Sequence, residues 1–273
     1  MMINIVYIPE LYFRQLLSVM DQITFPNNDN SDAQAYARIR KAIGLCGAAI
    51  PFLCLSLLLT CKCWGKVLPS ISHYYYTIVG DAFVGILFAL GLFLILYKSV
   101  FKKRNLRRQE NILTNASGVL ALIVAFIPTN PENGDCYHLQ LTNSYSEIFG
   151  GLGSLHLPSA GIMLLFFGII AWRYFPLNPE TGIADSPNKN IYRACAKFIF
   201  GALAILVVYF TDKVYLDGRY LSWLEKIRIV FLMECVAVFA FSVSWLKKGK
   251  MATVVKEVVH KVKNRLTSKK TPS

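Results

Sequence analysis

The sequence predicts an all-α, polytopic membrane protein: six transmembrane helices in one bundle, with both termini cytoplasmic. Three observations predict it. Apolar runs lie near 43–61, 78–97, 112–128, 157–175, 194–210 and 227–246. Each approaches the roughly 17–25 residues that a bilayer-spanning helix needs. Lysine and arginine collect in alternate connections, as cytoplasmic loops require. Only 16% of the 273 residues are charged and 55% are hydrophobic, against about 25% charged in soluble domains; the mean hydropathy is +0.44.

The elements follow in order. Residues 1–42 form a cytoplasmic segment, in which 10–24 (ELYFRQLLSVMDQIT) reads as an interfacial helix and NNDNSD, 27–32, as a polar linker. The first long apolar run begins only after Arg38, Arg40 and Lys41. A secretory signal carries its charges and apolar core at the extreme N-terminus, so span one is expected to act as an uncleaved anchor. Gly44, Gly47 and Pro51 lie inside it, which membrane helices tolerate because neighbours re-satisfy freed backbone groups. The connection between spans two and three carries Lys98, Lys102, Lys103, Arg104, Arg107 and Arg108. Loop 129–156 has no Lys or Arg and holds Glu132, Asp135 and Glu147. The 212–226 loop is mixed. The membrane domain thus runs over 43–246, and 247–273 is a basic cytoplasmic tail.

The net charge of +13 comes largely from these flanks, so no nucleic-acid partner is needed to explain it. In the tail, Val254, Val255, Val258, Val259, Val262 and Leu266 recur at helical spacing among Lys256, Lys261 and Lys263. One reading is a basic amphipathic helix on anionic inner-leaflet lipids. The other is a solvated tail that only enforces topology. The implied location is a bacterial cytoplasmic (inner) membrane, with the lipid bilayer itself as partner.

Polar chemistry concentrates on the predicted outer face. LPSISHYYYTIVGDAFVG, 68–85, holds Ser70, Ser72, His73 and, about one turn into span two, Asp81. His138 and Asp135 lie in the long outer loop, and His156 starts span four just before Pro158. Glu234 lies about seven residues into span six, roughly 10 Å deep at 1.5 Å per residue. A carboxylate inside a span costs about 2.5–3.5 kcal/mol at the helix centre and ordinarily faces the bundle interior. Asp81, Gly85 and Ala89 share one face, where small residues would let another helix approach. Glu234, Ala237, Phe241 and Ser244 make a similar stripe. His73, His156 and Arg228 stand near the same depth as possible partners.

These residues have bland readings too. Asp81 suits a cap that accepts tyrosine hydroxyls, Glu234 a structural interhelical hydrogen bond, and the Ser/Tyr cluster an interfacial aromatic belt. The ligand-binding set is Ser72, His73, Asp81, His156 and Glu234; the catalytic candidates are Asp81, His156 and Glu234. His73, Asp81 and His156 are the candidate ligands of a zinc ion carrying a water on an open position. No H-E-x-x-H, G-x-S-x-G, P-loop or dinucleotide fingerprint is present. Of the seven cysteines, Cys46, Cys54, Cys195 and Cys235 fall in spans as small apolar residues. Cys136 is placed to pair with Cys61 or Cys63 if the outer compartment is oxidising.

LPSISHYYYT with Asp81 and FVG (83–85), LYK (96–98), FIPT (126–129), HLPSA (156–160) and ECVAVFAFSVSWLKKG (234–249) resemble an uncharacterised family of bacterial six-span integral membrane proteins. In that family an arginine commonly stands where this chain has Gly80. The resemblance implies a six-span fold over roughly 40–250 and no activity. Ser72, His73, Asp81 and His156 are also loosely similar to the zinc-dependent CREST membrane hydrolases, which look like seven-span proteins. The function expected is an outward-facing polar pocket for a lipid headgroup or small polar ligand. If it carries chemistry, the expected reaction is hydrolysis with a carboxylate or histidine as general base. The alternatives are a non-enzymatic membrane partner or sensor and a small-solute transporter. Transport would favour a two-half repeat or broken helices, and neither stands out.

Overall fold

The computed structural model describes the backbone over 31–60, 67–129 and 150–268, and side chains over 35–57, 67–129 and 152–249. The proposed interfacial helix at 10–24, most of the NNDNSD linker, His138, Asp135, Cys61, Cys63 and Cys136 lie outside the described residues, as do the side chains of the tail. The described residues from Gln34 onward belong to one compact unit.

Among the described residues every regular element is helical. α1 is Ser31–Thr60, α2 Gly80–Leu96, α3 Arg104–Phe126, α4 His156–Ile169, α5 Lys189–Tyr215, α6 Trp223–Lys226 and α7 Ile229–Ser268. A short 3-10 turn, Ile71–Tyr76, precedes α2, and a π turn, Ile170–Tyr174, extends α4. Each predicted span therefore contains a helix. Four are long and apolar enough to cross a membrane: Ala35–Leu57, Leu152–Tyr174, Lys189–Tyr215 and Ile229–Gly249. α2 is apolar but only 17 residues long. α3 spends its first two turns on Arg104, Arg107, Arg108 and Glu110, so its apolar part is short. The boundaries differ from the apolar runs because hydrogen bonding does not stop where hydropathy does. α1 starts twelve residues before its apolar run and takes in Ser31 and Asp32 of the expected linker. α7 runs unbroken from the last span through the tail, about 60 Å at 1.5 Å per residue.

α2 packs on α3, α3 on α4, α4 on α5, and α5 on α7. α1 closes against α7: Gly44 faces Leu246, and Gly47 faces Phe241 and Ser242. Small residues set the closest crossing. A Cβ on Gly118 would come within 2.7 Å of the Gly91 carbonyl oxygen, a backbone atom that cannot rotate away. α2 buries Phe83, Val84, Leu87, Leu90, Gly91 and Leu94. Asp81 and Gly85 lie on its exposed face, and nothing is within 4 Å of a Cβ built on Gly85. This corrects the expectation that Asp81, Gly85 and Ala89 face a neighbouring helix. Small residues permit close approach but do not compel it; the larger apolar side chains bury more area per residue and win the interior. The Glu234 stripe behaves as expected, with Ala237, Phe241 and Ser244 buried.

Helix ends sort into two poles. The end of α3 meets the start of α4 through Ile127 and His156. The turn before α2 meets the start of α7 through Ile71 and Glu234, and the end of α5 lines the same cleft. At the other pole, Arg40 of α1, Tyr97 just after α2 and Glu110 of α3 are linked. Phe175 after α4, Tyr192 of α5 and Lys248 of α7 join them there. Successive long helices therefore run alternately up and down. Between the poles, Phe167 stacks on Phe241 with centroids 3.9 Å apart. The fully buried Trp245 meets Phe241, Phe175 and Tyr97.

Candidate functional site

The connection before α2 cannot be an ordinary solvated loop, because α7 and the segment after α3 hold it. The N–H of Phe231 donates to the Pro69 carbonyl at 3.1 Å. The N–H of Ile71 donates to Glu234 Oε2 at 2.6 Å, and the Tyr76 hydroxyl donates to the Thr129 carbonyl. Tyr74 and Tyr75 are buried, Tyr74 against Phe231. The tyrosines thus serve as the hydrophobic root of the turn, and its serines and His73 line a cleft of about 180 Å³.

That cleft is lined by Ser70, Ser72 and His73 from the turn, His156 from α4, and Arg228 and Glu234 from around the start of α7. Sequences 84 and 163 residues apart are brought together here. Ser72, His73, His156 and Glu234 of the expected ligand-binding set share the cleft. Asp81 does not line it; it sits on the exposed face of α2. The α5 end adds Tyr209 and Lys213, and the following loop adds Glu225. Lys213 Nζ and the Tyr209 hydroxyl both donate to Glu225 Oε1, at 2.9 and 3.0 Å. These bonds, that from Lys213 foremost, hold the Glu225 carboxyl below its ordinary range.

The state of His156 follows from its partners. Its Nδ1 lies 2.5 Å from the Ile127 carbonyl oxygen. A carbonyl only accepts, so Nδ1 carries the proton. The neutral ring then presents a lone pair on Nε2, and Ser72 Oγ lies 2.8 Å from it. Ser72 is therefore the donor in that bond. His156 is almost completely buried, while Ser72 is half-open to the cleft. A second contact joins Ser70 Oγ and His73 Nδ1 at 2.6 Å. It closes within three residues, and Ser70 is buried.

Zinc would need free donors converging on one point. Both His156 ring nitrogens already have partners, Ser70 occupies Nδ1 of His73, and Asp81 is outside the cleft. Among the described residues no group of three His, Cys, Asp or Glu side chains comes together to hold a metal ion. His73, Asp81 and His156 are thus not assembled as a ligand set.

Sequence reasoning missed Lys213, Tyr209 and Glu225, which only the fold of the 212–228 loop joins. Asp212 organises that loop by accepting the N–H groups of Tyr220 and Leu221. Asp217 and Arg228 have left-handed backbones, with φ of 51° and 52°. For residues with a Cβ this costs about 1–2 kcal/mol, and at Arg228 the strain sits in the cleft wall. Sequence reasoning also missed the polar cluster at the opposite pole. Its signal was readable: Glu110, Thr114, Ser117 and Gly118 recur on one helical face and are buried.

No family model, curated protein or solved structure matches this chain.

Proposed function

We propose that this chain is a six-span protein of a cytoplasmic membrane, with both ends inside, whose cleft binds a lipid headgroup at the outer surface. The observation that carries the reading is the cleft itself. It places Arg228, Lys213, Glu225 and Glu234 beside two histidines, where the start of α4, the end of α5 and the start of α7 meet. Alternation of helix direction supports six crossings, because the basic 98–108 connection and the α7 tail then fall on one side. In this reading α2 and the apolar half of α3 complete the crossings.

A lipid suits the surroundings better than a free solute. Tyr215, Tyr220, Trp223 and Ile227 are exposed beside the cleft residues Lys213, Glu225 and Arg228. Exposed Tyr and Trp are at home at headgroup level, where one end of the ring is apolar and the other wet. A headgroup phosphate would take the Arg228 side of the cleft and a headgroup amine or hydroxyl the Glu234 side. The basic tail would lie on anionic inner-leaflet lipids, about 1 kcal/mol for each Lys or Arg near the surface.

The test is lipid retention. The full chain is purified in mild detergent, titrated with phosphatidylethanolamine or phosphatidylglycerol, and weighed intact by native mass spectrometry. Saturable binding of one or two lipids, competed by soluble glycerophosphoethanolamine or glycerophosphoglycerol, is the expected result. Non-saturable lipid uptake that ignores the soluble headgroups would overturn the reading.

A further inference from the structure

We infer that the cleft is also a site of ester cleavage, in which Ser72 is the nucleophile, His156 its general base, and the substrate an ester-linked lipid. The inference rests on the headgroup reading for its substrate class and on separate geometry for its chemistry.

A serine hydroxyl is a weak nucleophile until a base takes its proton. The base needs a lone pair facing the hydroxyl and something fixing the other ring nitrogen. Here the Ile127 carbonyl fixes Nδ1–H, and Nε2 accepts from Ser72 Oγ at 2.8 Å. A backbone carbonyl thus takes the orienting role that a carboxylate plays elsewhere. Ile127 lies just beyond the end of α3 and His156 opens α4, so two packed helices set the ring's position. The hydroxyl that donates belongs to the less buried of the two serines that line the cleft. Ser70, with a contact to His73 of similar length, is buried and bonded within its own turn, which suits ordering rather than attack.

The reaction consumes one water and no other co-reactant. Ser72 Oγ attacks the ester carbonyl carbon, and its proton passes to His156 Nε2. The carbon–oxygen bond to the lipid's glycerol then breaks, and the departing oxygen takes that proton. Water, deprotonated by the same nitrogen, cleaves the acyl–Ser72 ester and restores the hydroxyl. Arg228 lines the same cleft, where it would hold the lipid's headgroup phosphate during both halves.

The experiment treats the full chain, in lipid nanodiscs of phosphatidylethanolamine and phosphatidylglycerol, with a fluorophosphonate. Serine attack on phosphorus expels fluoride and leaves a stable adduct, which peptide mass spectrometry locates. The expected result is one adduct, on Ser72, and a labelling rate lower by about 10²–10⁴ in His156→Gln, the usual worth of a general base. Ser72→Cys, which keeps the side chain's shape, should lose the adduct and instead be alkylated at that position by iodoacetamide. An adduct on Ser70 instead of Ser72, no serine adduct in folded protein, or undiminished labelling in folded His156→Gln would each overturn the inference. Lipid retention by the wild type is read separately. An unlabelled protein that still binds headgroups sinks only the chemistry; a labelled one that binds none sinks the headgroup reading.

Discussion

The two poles of the bundle use polar residues in opposite ways. At one, Arg40, Glu110 and Lys248 are buried below 6% exposure beside Tyr97, Tyr192 and Trp245. Arg40 Nη2 donates to the Tyr97 hydroxyl at 3.1 Å, that hydroxyl donates to Glu110 at 3.3 Å, and Lys248 Nζ donates to the Phe175 carbonyl at 3.0 Å. The Lys248 ammonium also lies over the Phe175 and Tyr192 rings. At the other pole, Ser72, His73, Arg228 and Glu234 are half-buried around a cleft. Ion groups sealed among aromatics are committed to one another and to the fold. Groups at a cleft wall are sealed on one side only. The same residue types thus divide into a clamp and a site according to whether aromatic rings close over them.

Substitutions that break this contrast should differ first in stability. Glu110→Ala leaves Arg40 and Lys248 buried without their carboxylate. The substitution also removes the acceptor of the Tyr97 hydroxyl; losing a buried hydrogen bond to a charged group costs about 1.5–3 kcal/mol, so thermal unfolding in detergent should fall by roughly 5 °C or more. A melting temperature within about 2 °C of wild type would show that the clamp contributes little. Gly118→Val drives a side chain into the Gly91 carbonyl and should cost about 1–3 kcal/mol as overpacking. It loosens α2 on α3 and should leave the Ser72–His156 pair reactive; unchanged stability would mean that the helices can separate freely.

At the cleft the sign reverses. Arg228→Gly removes left-handed strain and should raise stability by up to about 1 kcal/mol, while weakening lipid binding by about tenfold, or 1.4 kcal/mol. Loss of stability and unchanged binding together would show that Arg228 belongs to the fold. The smallest effect is expected at Glu225. Its folded carboxyl titrates below the ordinary value, near 4.3 for a free glutamate. Its bonds to Lys213 and Tyr209 therefore stabilise above that value and are lost as pH falls through the lowered one. Being half-exposed, it should contribute only a few tenths of a kcal/mol. Glu225→Gln should flatten that part of the stability profile, and an identical acid limb in both proteins would exclude the carboxylate.

How much of this was legible in sequence depended on the distance over which each signal acts. Apolar run length is local, and it located six helices. It could not mark where α1 or α3 begins, because the hydrogen-bond ladder continues through Arg38 and Arg107. Glu234 was legible because a carboxylate deep in an apolar run has few places to go. Asp81 misled because spacing showed which residues share its face but not where that face looks. Glu110 was hidden among the arginines that mark a cytoplasmic flank. The Ser72–His156 pair was out of reach, since only the packing of α4 beside the 71–76 turn makes them neighbours.

The most direct test compares one chemical change at each pole. Glu110→Gln and Glu234→Gln each exchange a carboxylate for an amide of nearly the same shape. Lipid occupancy is measured by native mass spectrometry at equal amounts of folded protein. Wild-type occupancy is expected in Glu110→Gln and occupancy reduced by about tenfold in Glu234→Gln, in the range set by losing a hydrogen bond to a charged group. Wild-type occupancy in Glu234→Gln, or an equal loss in both, would contradict the division between a clamp and a site.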